Sequence, residues 1–125
     1  MIDPWILIID DNPLNLKLAK LVLETEGYSV RTAVDAEDAL NVIEAALPGL
    51  ILMDIQLPGM DGLELTRQLK QNAATAGVVI VAVTAYAMTG DEQKALAAGC
   101  DGYVRKPFNT SALPDLVAHY LRRSA

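Results

Sequence analysis

The chain has 125 residues, 52% of them hydrophobic and 21% charged, which fits one folded domain and excludes a wholly disordered segment. Ten Lys and Arg against sixteen Asp and Glu give a net charge of −6, which excludes a general nucleic-acid binder but not a cation site. The single cysteine, Cys100, excludes an internal disulfide and a multi-cysteine zinc site.

No basic stretch leads into a long apolar one near the N-terminus, so no signal peptide is expected. The longest apolar run, residues 78–83, is too short for a membrane span. The expectation is a soluble, cytoplasmic protein with no membrane contact and no direct contact with nucleic acid. In chain order, the run WILII at 5–9 reads as a buried strand ending at Asp10. Asn12 and Pro13 supply an N-cap and an N1 proline. Leu14, Leu18, Leu21 and Val22 then recur at helical spacing, and Gly27 offers a left-handed stop. Residues 28–32 predict a second strand. Asp35 caps a helix through about residue 46, with Ala39, Leu40 and Ile43 on one stripe.

Pro48-Gly49 breaks that helix, and residues 50–53 predict a third strand ending at Asp54. A loop at 57–62 leads into a helix through about residue 71. Residues 78–83 form the fourth and most apolar strand, ending at Thr84. Thr89 and Glu92 have capping-box spacing before a helix that stops at Gly99. Residues 103–105 predict a short fifth strand, ended by Lys106-Pro107. Asn109 or Thr110 can cap a last helix to about residue 122. Continuous apolar strands alternating with helices imply a parallel sheet covered on both faces, a doubly wound α/β fold.

In such a sheet, sites lie outside the carboxyl ends of the strands. Gathered there are Asp10 and Asp11 after the first strand, Asp54 after the third, Thr84 after the fourth and Lys106 after the fifth. Three neighbouring carboxylates repel, and a divalent cation relieves them. The donors are oxygens, so the ion is hard, and Mg²⁺ suits a set of carboxylates, a carbonyl and waters. A metal beside a carboxylate, a lysine and a hydroxyl is equipment for phosphoryl transfer, with Asp54 as the nucleophile that forms an acyl phosphate. Taken singly, each residue has a plainer reading. Adjacent acids before a helix often serve as caps, threonine is an ordinary strand residue, and Lys106-Pro107 can be a simple strand exit. The conjunction is what carries specificity.

In context, these residues stand in DDNPLN at 10–15, LILMDIQLPGMDGLEL at 50–65 and VVIVAVTAYAMTGDEQKALAAGCDGYVRKPFN at 78–109. Together they resemble the receiver domain of two-component response regulators, in both single-domain cell-cycle regulators and hybrid-kinase receivers. The resemblance covers residues 5–121. It implies one receiver domain over 1–125, a flavodoxin-like fold with five helices, and strand order 2-1-3-4-5. It implies a signalling receiver, not an enzyme with a substrate of its own, that catalyses its own phosphoryl transfer and dephosphorylation. Asp54 would accept the group from a histidine kinase or phosphotransfer protein. Asp11 would ligate Mg²⁺ directly, Asp10 through water, with Asp54 and the Gln56 carbonyl completing the protein ligands. Lys106, followed by a cis bond to Pro107, would pair with one phosphoryl oxygen. Thr84 would bond another, and the small Ala85 would leave room. Tyr103 falls at the family's switch-aromatic position.

The attached phosphoryl group carries roughly −1.5 to −2 charges. Thr84 would be drawn inward, Tyr103 would fill the vacated space, and the last helix-strand-helix face would change shape for a downstream protein partner. Outside this set, His119 reads as a surface or partly packed residue, and Cys100 as a small buried filler.

Three other readings compete. A haloacid-dehalogenase-like phosphatase uses similar groups, but its nucleophile follows the first strand. A flavin or nucleotide module would need a phosphate cradle where DDNPLN offers carboxylates. A receiver-like interaction module that takes no phosphate would be expected to have lost Asp54, an acid-pair member or Lys106.

Overall fold

A computed structural model describes residues 5–55, 62–84, 91–105 and 113–124. Among these residues, five strands alternate with five helices. They run β1 (Ile6–Ile9), α1 (Pro13–Thr25), β2 (Val30–Ala33), α2 (Ala36–Ala45), β3 (Leu50–Asp54), α3 (Gly62–Gln71), β4 (Val79–Thr84), α4 (Asp91–Ala98), β5 (Gly102–Arg105) and α5 (Leu113–Ser124). The strands form a parallel sheet in the order β2-β1-β3-β4-β5, the doubly wound topology expected. No helix of the described residues is long and apolar enough to cross a membrane.

The period-2 alternation of strand side chains divides the core in two. On one face Leu7, Ile9, Ile51, Met53, Ile80 and Ala82 pack against α2, α3 and α4. On the other, Ile6, Ile8, Leu50, Leu52, Val81 and Val83 pack against α1 and α5. β1 and β3 are buried throughout, as continuous apolar strands require, whereas β2 at the sheet edge leaves Arg31 exposed. The Arg31 guanidinium lies 5.0 Å from the centre of the Trp5 ring.

Local signals set the element ends. The Asn12 side chain accepts from the amides of Leu14 and Asn15, with Pro13 in the first helical position. The Asp35 carboxylate accepts from the Asp38 amide at 2.8 Å. Gly27 and Gly99 take positive φ of 95° and 111° and end α1 and α4. The caps expected at Thr89 and at Asn109 or Thr110 lie outside the described residues.

The spacing that marks α1 as a helix does not mark the face it buries. Leu14, Leu18 and Leu21 are 71%, 47% and 61% exposed, while Leu16, Ala19 and Leu23 meet the sheet. Both sets recur at helical spacing, so periodicity alone cannot choose between them. The buried set carries the small Ala19 at its centre, where the helix approaches the strands.

At the amino edge of the sheet, Lys70 ties three segments together. Its Nζ donates to the carbonyls of Val78 at 2.8 Å and Ala76 at 3.3 Å, and pairs with the Asp101 carboxylate at 2.9 Å. The same carboxylate oxygen accepts from the Ile80 amide at 2.9 Å. The end of α3 is thereby bound to the entries of β4 and β5.

Cys100 is buried beside this cluster, as the sequence led us to expect. Burial pushes its thiol pKa up. The hydrogen bond with Thr66 opposes that shift, Asp101 adds to it and Lys70 opposes it. His119 is exposed and sets its ring edge-on to Tyr120 at 5.0 Å.

Candidate acidic site at the carboxyl edge of the sheet

The pairing register explains how distant acids meet. Ile9 of β1 lies beside Met53 of β3, so the next residues, Asp10 and Asp54, leave adjacent strands at the same level. Both fall at positions of the face that packs on α1 and α5, following Ile8 and Leu52. Asp11 turns out toward solvent at the start of α1. Carboxylate oxygens of Asp10, Asp11 and Asp54 all lie within 4.8 Å of one another. The two central residues are nearly buried, Asp10 at 5% exposure and Asp54 at 8%.

Nearby groups hold Asp10 in place. Its amide donates to the Ala33 carbonyl at 3.1 Å, fixing the backbone to β2. Its Oδ1 accepts from the Asn12 amide at 2.9 Å, and Oδ2 from the Asn15 side-chain amide at 3.5 Å. Beneath the pair is a cavity of about 20 Å³ walled by Ile8, Ala19, Leu52, Val83 and Leu113. Apart from the two carboxylates and Asn15, this cavity is lined by apolar side chains. At an effective dielectric of about 20, two unit charges 4.8 Å apart repel by roughly 3.5 kcal/mol. The site therefore favours a cation. Its donors are carboxylate oxygens, two of them on rigid strand ends, and that set suits a small hard divalent ion.

The other expected residues are placed less fully. Thr84 is the last residue of β4 and stands opposite Arg105 of β5, so its backbone reaches the same edge. Tyr103 pairs with Ala82, two register steps inward, and is partly buried against the face packed on α2, α3 and α4. Gln56, Ala85, Lys106 and Pro107 lie outside the described residues.

The sequence reading missed three supporting residues. Asn15 is a second amide near Asn12, and nothing local in the sequence ties it to Asp10. Gly62, which local sequence signals place in a loop, opens α3 and donates its N–H to the Ile55 carbonyl just past β3. Thr66 shares the buried stripe of α3 with Leu65 and Leu69, and a polar residue in that stripe was the available signal.

Comparison with known proteins gives a consistent result. Residues 6–118 match the family described as the response regulator receiver domain. The polar-differentiation response regulator DivK of Brucella anthropi is 38% identical over 116 residues, covering 93% of this chain and 94% of that protein. Among solved structures, a CheY-like response regulator receiver domain protein from Methanospirillum hungatei superposes with a TM-score of 0.89 at 36% identity, covering 97% of this chain and 95% of that one. The BeF3-activated receiver domain of DrrB superposes at 0.84 with 29% identity, covering 97% and 100%.

Proposed function

This chain belongs to the response regulator receiver domain family, its function is two-component phosphorelay signalling, and we propose that Asp54 is the residue that carries the phosphoryl group. Response regulators work with histidine kinases or phosphotransfer proteins, so the donor is a phosphohistidine. A carboxylate oxygen of Asp54 attacks phosphorus. The new P–O bond forms as the P–N bond breaks, and the imidazole leaves with the electron pair and takes up a proton. The product is an acyl phosphate, which water later hydrolyses to restore the carboxylate.

The observation that carries this reading is the convergence of Asp10, Asp11 and Asp54 within 4.8 Å at the end of two buried strands. The all-oxygen donor set and the charge it concentrates fit Mg²⁺. Asp10, Asp11, Asp54 and the Gln56 carbonyl would hold it. When bound, the ion supplies charge neutralisation and a position for a phosphoryl oxygen.

The chain's own residues do the rest. Asn12 and Asn15 orient the Asp10 carboxylate. Lys106, before Pro107, pairs with one phosphoryl oxygen, the Thr84 hydroxyl bonds another, and Ala85 leaves space for the group. Tyr103 moves into the room Thr84 vacates. The α4-β5-α5 face then presents a changed surface to a downstream protein in the cytoplasm. In this reading the receiver catalyses its own phosphorylation and dephosphorylation.

The test is incubation with acetyl phosphate and Mg²⁺, read by intact mass. One added phosphoryl group in the wild type, absent in Asp54→Asn, is expected. A mass gain that persists in Asp54→Asn refutes the assignment.

A further inference from the structure

Helix α3 braces the acceptor strand from behind. Its first residue, Gly62, donates its N–H to the Ile55 carbonyl at 3.1 Å. A Cβ at Gly62 would overlap the Asp54 carbonyl oxygen and come within 2.7 Å of the Ile55 Cα. Backbone conformation does not call for glycine here, because the positive-φ glycines among the described residues are Gly27 and Gly99. The demand is closeness. The missing side chain lets the start of α3 seat directly on the Asp54–Ile55 peptide.

One turn later, the Thr66 hydroxyl donates to the Gly62 carbonyl at 2.8 Å, and Thr66 is 0% exposed. Threonine bonded back to residue i−4 often bends a helix and slightly weakens it, so helix stability alone does not account for this hydroxyl. Cys100, between α4 and β5, sets its Sγ 3.7 Å from the same hydroxyl. Thr66 thus stands between the brace and the segment leading into β5.

We propose that Gly62 and Thr66 are positioning residues for the phosphoryl acceptor. Gly62 fixes the Asp54 backbone by contact, and Thr66 fixes the Gly62 carbonyl and with it the direction of the first turn of α3. The Asp54 carboxylate is then delivered at a set height beside Asp10. The inference rests on Asp54 being the acceptor.

The test measures initial rates of phosphorylation of the full chain by acetyl phosphate at saturating Mg²⁺, by intact mass, with a melting curve for each variant. A misplacement of about 1 Å can cost about a hundredfold in rate, so about half that shift costs roughly tenfold. Gly62→Ala is expected to lose at least that much. Thr66→Val keeps the shape and loses the hydroxyl. It is expected to melt near the wild type and to react several-fold more slowly. Thr66→Ser keeps the hydroxyl and loses a methyl. It is expected to melt lower and to react at close to the wild-type rate. Stability and rate therefore move in opposite directions across the two Thr66 variants, which a purely structural role would not produce. If Gly62→Ala fails to fold, the Thr66 pair decides. Thr66→Val at the wild-type rate, or Thr66→Ser slowed along with it, overturns the positioning role while leaving Asp54 as acceptor. Phosphoryl addition in Asp54→Asn overturns both.

Discussion

Adding Mg²⁺ to the metal-free chain should stabilise it, and the structure sets the scale. The folded chain holds three carboxylates within 4.8 Å, two of them almost excluded from solvent. Unfolding separates them, so the ion binds the native state far better than the denatured one. If its Kd is about 1 mM, then 10 mM ion adds roughly 1.4 kcal/mol by mass action. Unfolding entropy near 2.1 cal/mol/K per residue makes about 0.26 kcal/mol/K for a chain of this length, so the midpoint should rise by about 5 °C. The complementary perturbation is Asp54→Asn. It removes one partner from a repulsion of roughly 3.5 kcal/mol, reduced in practice by relaxation and by salt. In EDTA this variant should melt above the wild type, and it should gain much less from Mg²⁺. Calorimetric melts of both proteins, with EDTA and with 10 mM Mg²⁺ as the two conditions, give the four numbers needed. A wild type indifferent to Mg²⁺, or an Asp54→Asn variant that gains as much as the wild type, would refute the argument that charge crowding makes the site.

Three further outcomes are expected. Lys70→Met leaves two carbonyls and the Asp101 carboxylate without their cation and should cost about 1.5–3 kcal/mol in urea denaturation. Its phosphorylation rate should stay unchanged, because the cluster lies at the opposite edge from Asp54. The raised Cys100 pKa means the folded chain keeps its thiol proton to higher pH than the unfolded chain does. Stability should therefore be unaffected by this group at neutral pH and should fall as pH rises above the ordinary thiol value of 9.0. A Cys100→Ala variant whose melts show the same alkaline decline would remove Cys100 as its source. Trp5 precedes β1 at the far end from Asp10, five residues or roughly 16 Å away. Mg²⁺ should barely change its fluorescence, and strong quenching would contradict the placement.

Much of the fold was legible because its signals are local. Asn12-Pro13, Asp35, Gly27 and Gly99 each fix an element end through a bond or a dihedral angle within a few residues. The acidic site was legible for another reason. Once the strands are read as parallel, Asp10 and Asp54 must leave at the same edge, whatever their separation in sequence. What stayed hidden depends on tertiary choice. The α1 leucines form two stripes with the same spacing, and only the packed sheet selects Leu16 and Leu23 over Leu14 and Leu21. Lys70 gave no sign of its role, since its partners are two backbone carbonyls and a carboxylate 31 positions away. Gly62 looked like one more loop glycine because the atoms it must avoid belong to β3.

β5 lies at the rim of the sheet and has a ladder on one side only, with β4. Moving β1 or β3 would disrupt two ladders and both core layers at once. Moving β5 disturbs one. The least costly region to remodel is thus the periphery, while Asp10 and Asp54 stand at the ends of the two strands β1 and β3, each paired on both sides. Chemistry on a rigid centre and shape change at a compliant margin can therefore coexist in so small a domain without endangering its overall integrity.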